Sequence, residues 1–122
     1  MSDALPHTPE FIYKIATVAA YAAAEASGRF TGMPVDVADG YIHFSTAAQV
    51  EQTLSLHFRG LSDLVLIAVR TADVGSELVW ETSRAGQLFP HLYAPFPTSA
   101  VAWAEPVSVA ADGSCNLPAA VR

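Results

Sequence analysis

The sequence predicts an α+β domain with mixed or antiparallel sheets and two helices confined to its N-terminal half. Three observations carry that expectation. Two stretches before Gly60 show helix caps and apolar residues at helical spacing. Strand-like runs interleave with them, and from Asp63 onward such runs follow one another without a helix. A doubly wound sheet would need further helices, and none is visible after Gly60.

The elements follow in order. Residues 1–10, with Pro6 and Pro9, read as a leader. Phe11-Ile12-Tyr13-Lys14-Ile15 is β-branched and aromatic and reads as a strand. Thr17 is placed to cap an alanine-rich helix running to about Ser27, with Gly28 where a C-terminal glycine belongs. A loop with Gly32, Pro34 and Asp39-Gly40 precedes a strand from Tyr41 to Ser45. Thr46 and Gln49 form a capping-box pattern for a second helix, whose stripe is Val50, Leu54 and Phe58. Asp63 to Val69 is apolar on both faces, as a central strand is. Glu77–Thr82 reads as a strand with Leu78 and Trp80 inward, and Ala100–Val109 as the last strand. Residues 11–109 thus read as one domain, and 110–122 as a loosely packed tail.

Composition narrows the function classes. At 122 residues the chain suits a single core, and 52% hydrophobic with 15% charged residues argues against disorder. The net charge is −6 and Lys14 is the lone lysine, so the basic footprint of a nucleic-acid binder is missing. An anionic membrane surface would repel such a chain. Cys115 is the sole cysteine, which forbids an internal disulfide and fits a reducing compartment. Met-Ser-Asp lacks a positive leader segment, and the apolar run Ile15–Ala24 is too short to span a bilayer. The expectation is a soluble cytoplasmic protein that takes a small nucleotide or anionic ligand.

Two strings hold the chemistry: Gly40-Tyr41-Ile42-His43-Phe44-Ser45-Thr46 and Leu88-Phe89-Pro90-His91-Leu92-Tyr93. Strand alternation puts Tyr41, His43 and Ser45 on one face, and Phe89, His91 and Tyr93 on another. His43, Ser45 and amides at a Thr46 helix start can hold an anion, or His43 can be a hydrogen-bonded core histidine. Glu81 follows Trp80, and desolvation against the indole would raise its pKa and suit acid–base work. Alternatively it is a surface partner of Arg84, which can equally clamp a phosphate. Asp36 and Asp39 read as turn formers, and His7 and His57 as surface residues. His43, His91 and Glu81 also make a conceivable metal trio for a hydrolase, although no spacing demands it. Nucleotide, metalloprotease and nucleophile-elbow signatures are missing, and an i, i+2 Ser45–His43 pair does not build a hydrolase triad.

Taken together, Ile12-Tyr13-Lys14-Ile15, Asp39 to Thr46 with Gln49-Val50, Phe58-Arg59-Gly60, Asp63-Leu64-Val65-Leu66, Trp80-Glu81 and Phe89 to Tyr93 resemble a known set. The chain is similar over roughly residues 11–107 to the small, mostly bacterial family called domain of unknown function 952. That family has been grouped by remote similarity with the ADP-ribosyltransferases, which bind NAD in a cleft between two small sheets. The resemblance implies an ADP-ribosyltransferase-like fold with NAD as substrate rather than as a resident cofactor. It casts His43 as the histidine that holds ribose and nicotinamide amide, with Ser45 and Thr46 beside it. Glu81 becomes the glutamate facing an oxocarbenium-like transition state, and His91 and Tyr93 line the pocket. Tyr13-Lys14 stands where the first-strand histidine is usual, and Val79 where many members carry a second acidic or amide residue.

Overall fold

The computed structural model describes residues 8–121; most of the expected leader, including Pro6 and His7, lies outside them. In chain order the elements are β1 (Phe11–Thr17), α1 (Val18–Ser27), β2 (Arg29–Phe30), α2 (Pro34–Asp39), β3 (Ile42–His43) and α3 (Val50–His57). Then come β4 (Leu64–Arg70), β5 (Leu78–Thr82), β6 (Leu88–Leu92), β7 (Phe96–Pro97) and β8 (Val101–Val107). Two three-stranded sheets, ordered β1-β4-β8 and β3-β6-β5, and a short β2-β7 ribbon make an α+β fold. Every strand pair in them is antiparallel.

β4 is apolar along its length because both faces of its sheet are covered. Ile67 and Val69 join Ile12 and Ala16 beneath α1 and the second sheet, with Phe30, Ile42, Leu92 and Phe96. Leu64, Leu66 and Ala68 join Tyr13 and Ile15 on the opposite face, against Val50 and Leu54 of α3. The residues after β8 fold back onto that second cluster: Val109 pairs with Cys115, and Leu117 and Val121 pack against it. Apolar side chains in the tail gain burial there, so the segment is packed rather than loose.

α1 begins and ends where its caps place it. The Thr17 hydroxyl accepts from the Ala20 amide at 3.1 Å, and Gly28 adopts φ 84°, open to glycine at little cost. The expected loop after Gly32 instead contains α2, with Pro34 at its first turn and Gly40 at φ 86° closing it. Proline at a helix start and glycine just past its end are themselves a helix signature. α3 starts at Val50 rather than Thr46. Residues 46–49 form a turn closed by the Gln49 and Val50 amides, which donate to the Thr46 carbonyl at 3.0 and 3.1 Å and lead into the helix. No described helix is long and apolar enough to cross a membrane.

Leu66 is fully buried at the middle of β4, between Ile15 and Glu105. Leu66→Ala is expected to cost roughly 2–5 kcal/mol, and Thr17→Ala about 1 kcal/mol through the lost cap. Urea unfolding checks both, as a lower midpoint at unchanged slope.

Candidate functional site

Register on the second sheet brings the two histidine strings together. His43 of β3 lies directly opposite His91 of β6, and His91 lies opposite Val79 of β5. Alternation then sends Ile42, Leu78, Trp80 and Leu92 toward the core and leaves Tyr41, His43, Phe89, His91, Tyr93 and Glu81 on the other face. The two imidazole centroids are 5.7 Å apart, and Tyr41 stacks on His91 at 4.2 Å.

Each imidazole is held by carboxylates. His91 Nδ1 lies 2.7 Å from Glu81 Oε1, and the Tyr93 hydroxyl donates to the same oxygen at 2.8 Å. His43 Nδ1 lies 2.6 Å from Asp36 Oδ1, and its Nε2 lies 2.9 Å from Asp39 Oδ2. A ring donates to two carboxylates at once only in its doubly protonated form. His43 Nε2 therefore reaches a ligand only when Asp39, whose side chain is 46% exposed, gives up its bond.

Asp36 anchors this arrangement. It is 2% exposed and accepts from Lys14 Nζ at 2.8–2.9 Å, the Met33 amide at 2.6 Å and the His43 amide at 3.0 Å, besides the His43 ring. Burial pushes its carboxyl up, but the His43 ring and the Lys14 ammonium outweigh burial and hold it at about 2. Burial pushes the Lys14 ammonium down, against the opposing pull of Asp36. The expectation of Asp36 and Asp39 as mere turn formers is thus corrected: a buried carboxylate must find donors, and here it finds them on three segments.

Of the two readings of Glu81, desolvation by Trp80 fails, and the side chain is 38% exposed. Trp80 points to the opposite face and cannot desolvate it. The hydrogen bonds from His91 and then Tyr93 hold its carboxyl below the ordinary range, while Tyr93 is pushed up by the same bond. An ionised Glu81 stabilises positive charge rather than donating a proton.

The two sheets are linked by reciprocal backbone hydrogen bonds between Tyr13 and Ser45, at 2.8 and 2.9 Å. Beside this junction lies a cavity of about 450 Å³, walled by Tyr13, Lys14, His43, Ser45, His57 and His91 among others. That volume is within the ordinary span for small-molecule sites, about 300–1,000 Å³. His57 is an exposed residue, as its sequence reading had it, yet it contributes to this wall. A second hollow, about 540 Å³ between Glu10, Arg70 and Trp80, carries no histidine.

The remaining predicted residues fall as follows. Ser45 Oγ is 3.0 Å from the Thr53 hydroxyl, and Tyr13 is buried with its ring 5.9 Å from that of Trp103. The Thr46 amide donates to Gln49 Oε1 at 3.0 Å, so the capping residue itself occupies the amide expected to meet an anion. Arg84 lies in the turn after β5, and its side chain is outside the described residues. Among the described residues no three His, Cys, Asp or Glu side chains gather as a metal-binding group, which leaves the metal trio of His43, His91 and Glu81 without geometric support.

The family described as "Protein of unknown function (DUF952)" matches residues 15–104. The chain belongs to the DUF952 family. The crystal structure of protein CC0527 from Caulobacter crescentus is 46% identical, with TM-score 0.83 over 88% of this chain and 94% of that one. The solution structure of the same protein is also 46% identical, with TM-score 0.75 over 86% and 90%. No protein of curated function matches the chain.

For this DUF952 domain, Asp36→Asn leaves Lys14 buried without its counter-charge and turns an amide donor toward His43 or Lys14. The expected loss is roughly 3–5 kcal/mol, read by chemical denaturation. The pH dependence follows from the lowered pKa. Asp36 falls from an ordinary 3.8 to about 2, so its contribution is whole above pH 3.8 and is lost as pH falls through 2. Acid titration of the unfolding midpoint should show that loss in the wild type and lack it in Asp36→Asn.

Proposed function

We propose that the cleft beside the Tyr13–Ser45 junction binds a nucleotide of the NAD class as substrate and acts at its N-glycosidic bond. The observation that carries this reading is convergence. Two imidazoles and a carboxylate from β3, β6 and β5 meet on one face beside a cavity between two small sheets. The resemblance of the sequence motifs to a family grouped with the ADP-ribosyltransferases points the same way.

The chemistry of the parts is suited to that bond. Cleavage of a ribosyl–nicotinamide bond builds positive charge at the ribose C1′, and an ionised carboxylate within reach lowers that barrier electrostatically. Glu81 is not itself part of the cavity wall but sits behind His91, which is, and its neighbours keep it deprotonated. Its Oε2 accepts no hydrogen bond among the described residues, which leaves one oxygen for a ribose hydroxyl or the developing cation. Tyr93, expected to line the pocket, is not part of the cavity wall, and neither is Tyr41; the two rings lie 5.2 Å apart beside it, where a cationic nicotinamide reaching past His91 would meet them. Val79 stands two residues before Glu81 on the same face, so the strand supplies one carboxylate there.

NAD titration followed by the imidazole NMR signals tests the reading. Shifts at His43 and His91 with saturation below millimolar NAD are expected, together with release of nicotinamide that falls at least about 100-fold in Glu81→Gln. An unperturbed spectrum at millimolar NAD would overturn it.

A further inference from the structure

We propose that His91 is the general base of the reaction, and that the group accepting the ribosyl unit is a neutral hydroxyl, from water or from an alcohol. This rests on the proposed activity at the N-glycosidic bond and names the acceptor class that reading leaves open.

The geometry of the His91 ring carries the proposal. The ring is 5% exposed, its plane is covered by Tyr41 at 4.2 Å, and it forms part of the cavity wall. With Nδ1 at 2.7 Å from the ionised Glu81, the neutral ring keeps its proton on Nδ1 and leaves Nε2 as the acceptor. Nε2 has no hydrogen-bond partner among the described residues. A carboxylate behind an imidazole fixes its tautomer and stabilises the imidazolium that forms when it takes a proton. His43 is held differently, because carboxylates face both of its nitrogens, and it has no free lone pair to offer. Of the two histidines on this face, His91 is the one built to receive a proton.

The step balances without a further reactant. The hydroxyl oxygen bonds to C1′ of the ribose as the C1′–N bond breaks. The bonding pair leaves with nicotinamide, which departs neutral. The hydroxyl proton passes to His91 Nε2 and from there to solvent, so NAD yields nicotinamide, a proton and either an O-glycoside of ADP-ribose (from an alcohol) or ADP-ribose (from water). An anionic nucleophile needs no such base.

The test uses His91→Asn, whose side-chain amide keeps a donor toward Glu81 and removes Nε2. NAD affinity within about threefold of the wild type, turnover lower by 10²–10⁴-fold, and recovery of the rate with azide as an ADP-ribosyl azide are expected. Unchanged turnover, or a loss that azide does not restore, overturns the proposal while the binding reading stands. NAD that binds the wild type without turning over overturns it together with the proposed cleavage and leaves only binding, and wild type that does not bind NAD overturns all three. If His91→Asn fails to fold, the wild-type ring ¹⁵N shifts decide. A proton on Nδ1 with Nε2 bare supports the proposal, and the reverse tautomer overturns it.

Discussion

A carboxylate shielded from water is tolerated only when donors surround it, and Asp36 draws its donors from three separate segments. Lys14 reaches it from β1, the Met33 amide from the start of α2, and His43 from β3 by both its amide and its ring. One side chain thereby ties the edge of the first sheet to the edge strand of the second and sets the His43 ring in a fixed plane. A buried ion pair of this kind is weak evidence for stability, since apolar residues of equal volume often do as well. What apolar residues would not do is orient an imidazole. The cluster is better explained by the position of His43 than by the free energy of folding.

The cavity follows from how the sheets meet. Tyr13 and Ser45 exchange two backbone hydrogen bonds as an isolated bridge, and no ladder extends from it. Beyond that bridge β3 turns to pair with β6, and β1 stays with β4. The core on both faces of the β1-β4-β8 sheet makes this junction rigid, because Tyr13 is packed on one side while Ile12 and Ala16 are packed on the other. A pocket walled in part by strands of two anchored sheets, with Val35 of α2 and Thr53 and His57 of α3 completing the wall, has a largely fixed floor, which limits the ordering cost of binding.

Much of this was legible in the residues. The caps of α1, the two-faced apolar run of β4 and the shared face of Tyr41 and His43 all follow from local rules, because each depends on near neighbours in sequence. The convergence of the two histidine strings was posed by their pattern but decided by register, which places His43 opposite His91. Asp36 was hidden because an aspartate near proline and glycine reads as a turn. Its donors lie 22 residues upstream at Lys14 and seven downstream at His43, contacts that no local pattern encodes. The pairing of Pro34 with Gly40 did mark α2, and a helix there would have turned attention to which of its residues face inward. The desolvation alternative for Glu81 fails for a different reason. A residue's sequence neighbour in a strand is on the opposite face, so Trp80 was never available to desolvate it, and alternation alone would have shown it.

The charge balance of the cleft bears on what the proposed substrate would be recognised by. Lys14 is committed to Asp36, and both ring nitrogens of His43 face Asp36 and Asp39, so neither side chain is open to a diphosphate. Glu81, by contrast, has one oxygen uncommitted among the described residues. On the proposed reading, the described residues would meet the cationic and hydroxyl-bearing end of a dinucleotide through Glu81. Discrimination would then rest on ribose hydroxyls meeting a carboxylate and on a positively charged ring meeting Tyr41 and Tyr93. These are directional contacts, and so they separate analogues by geometry as well as by charge.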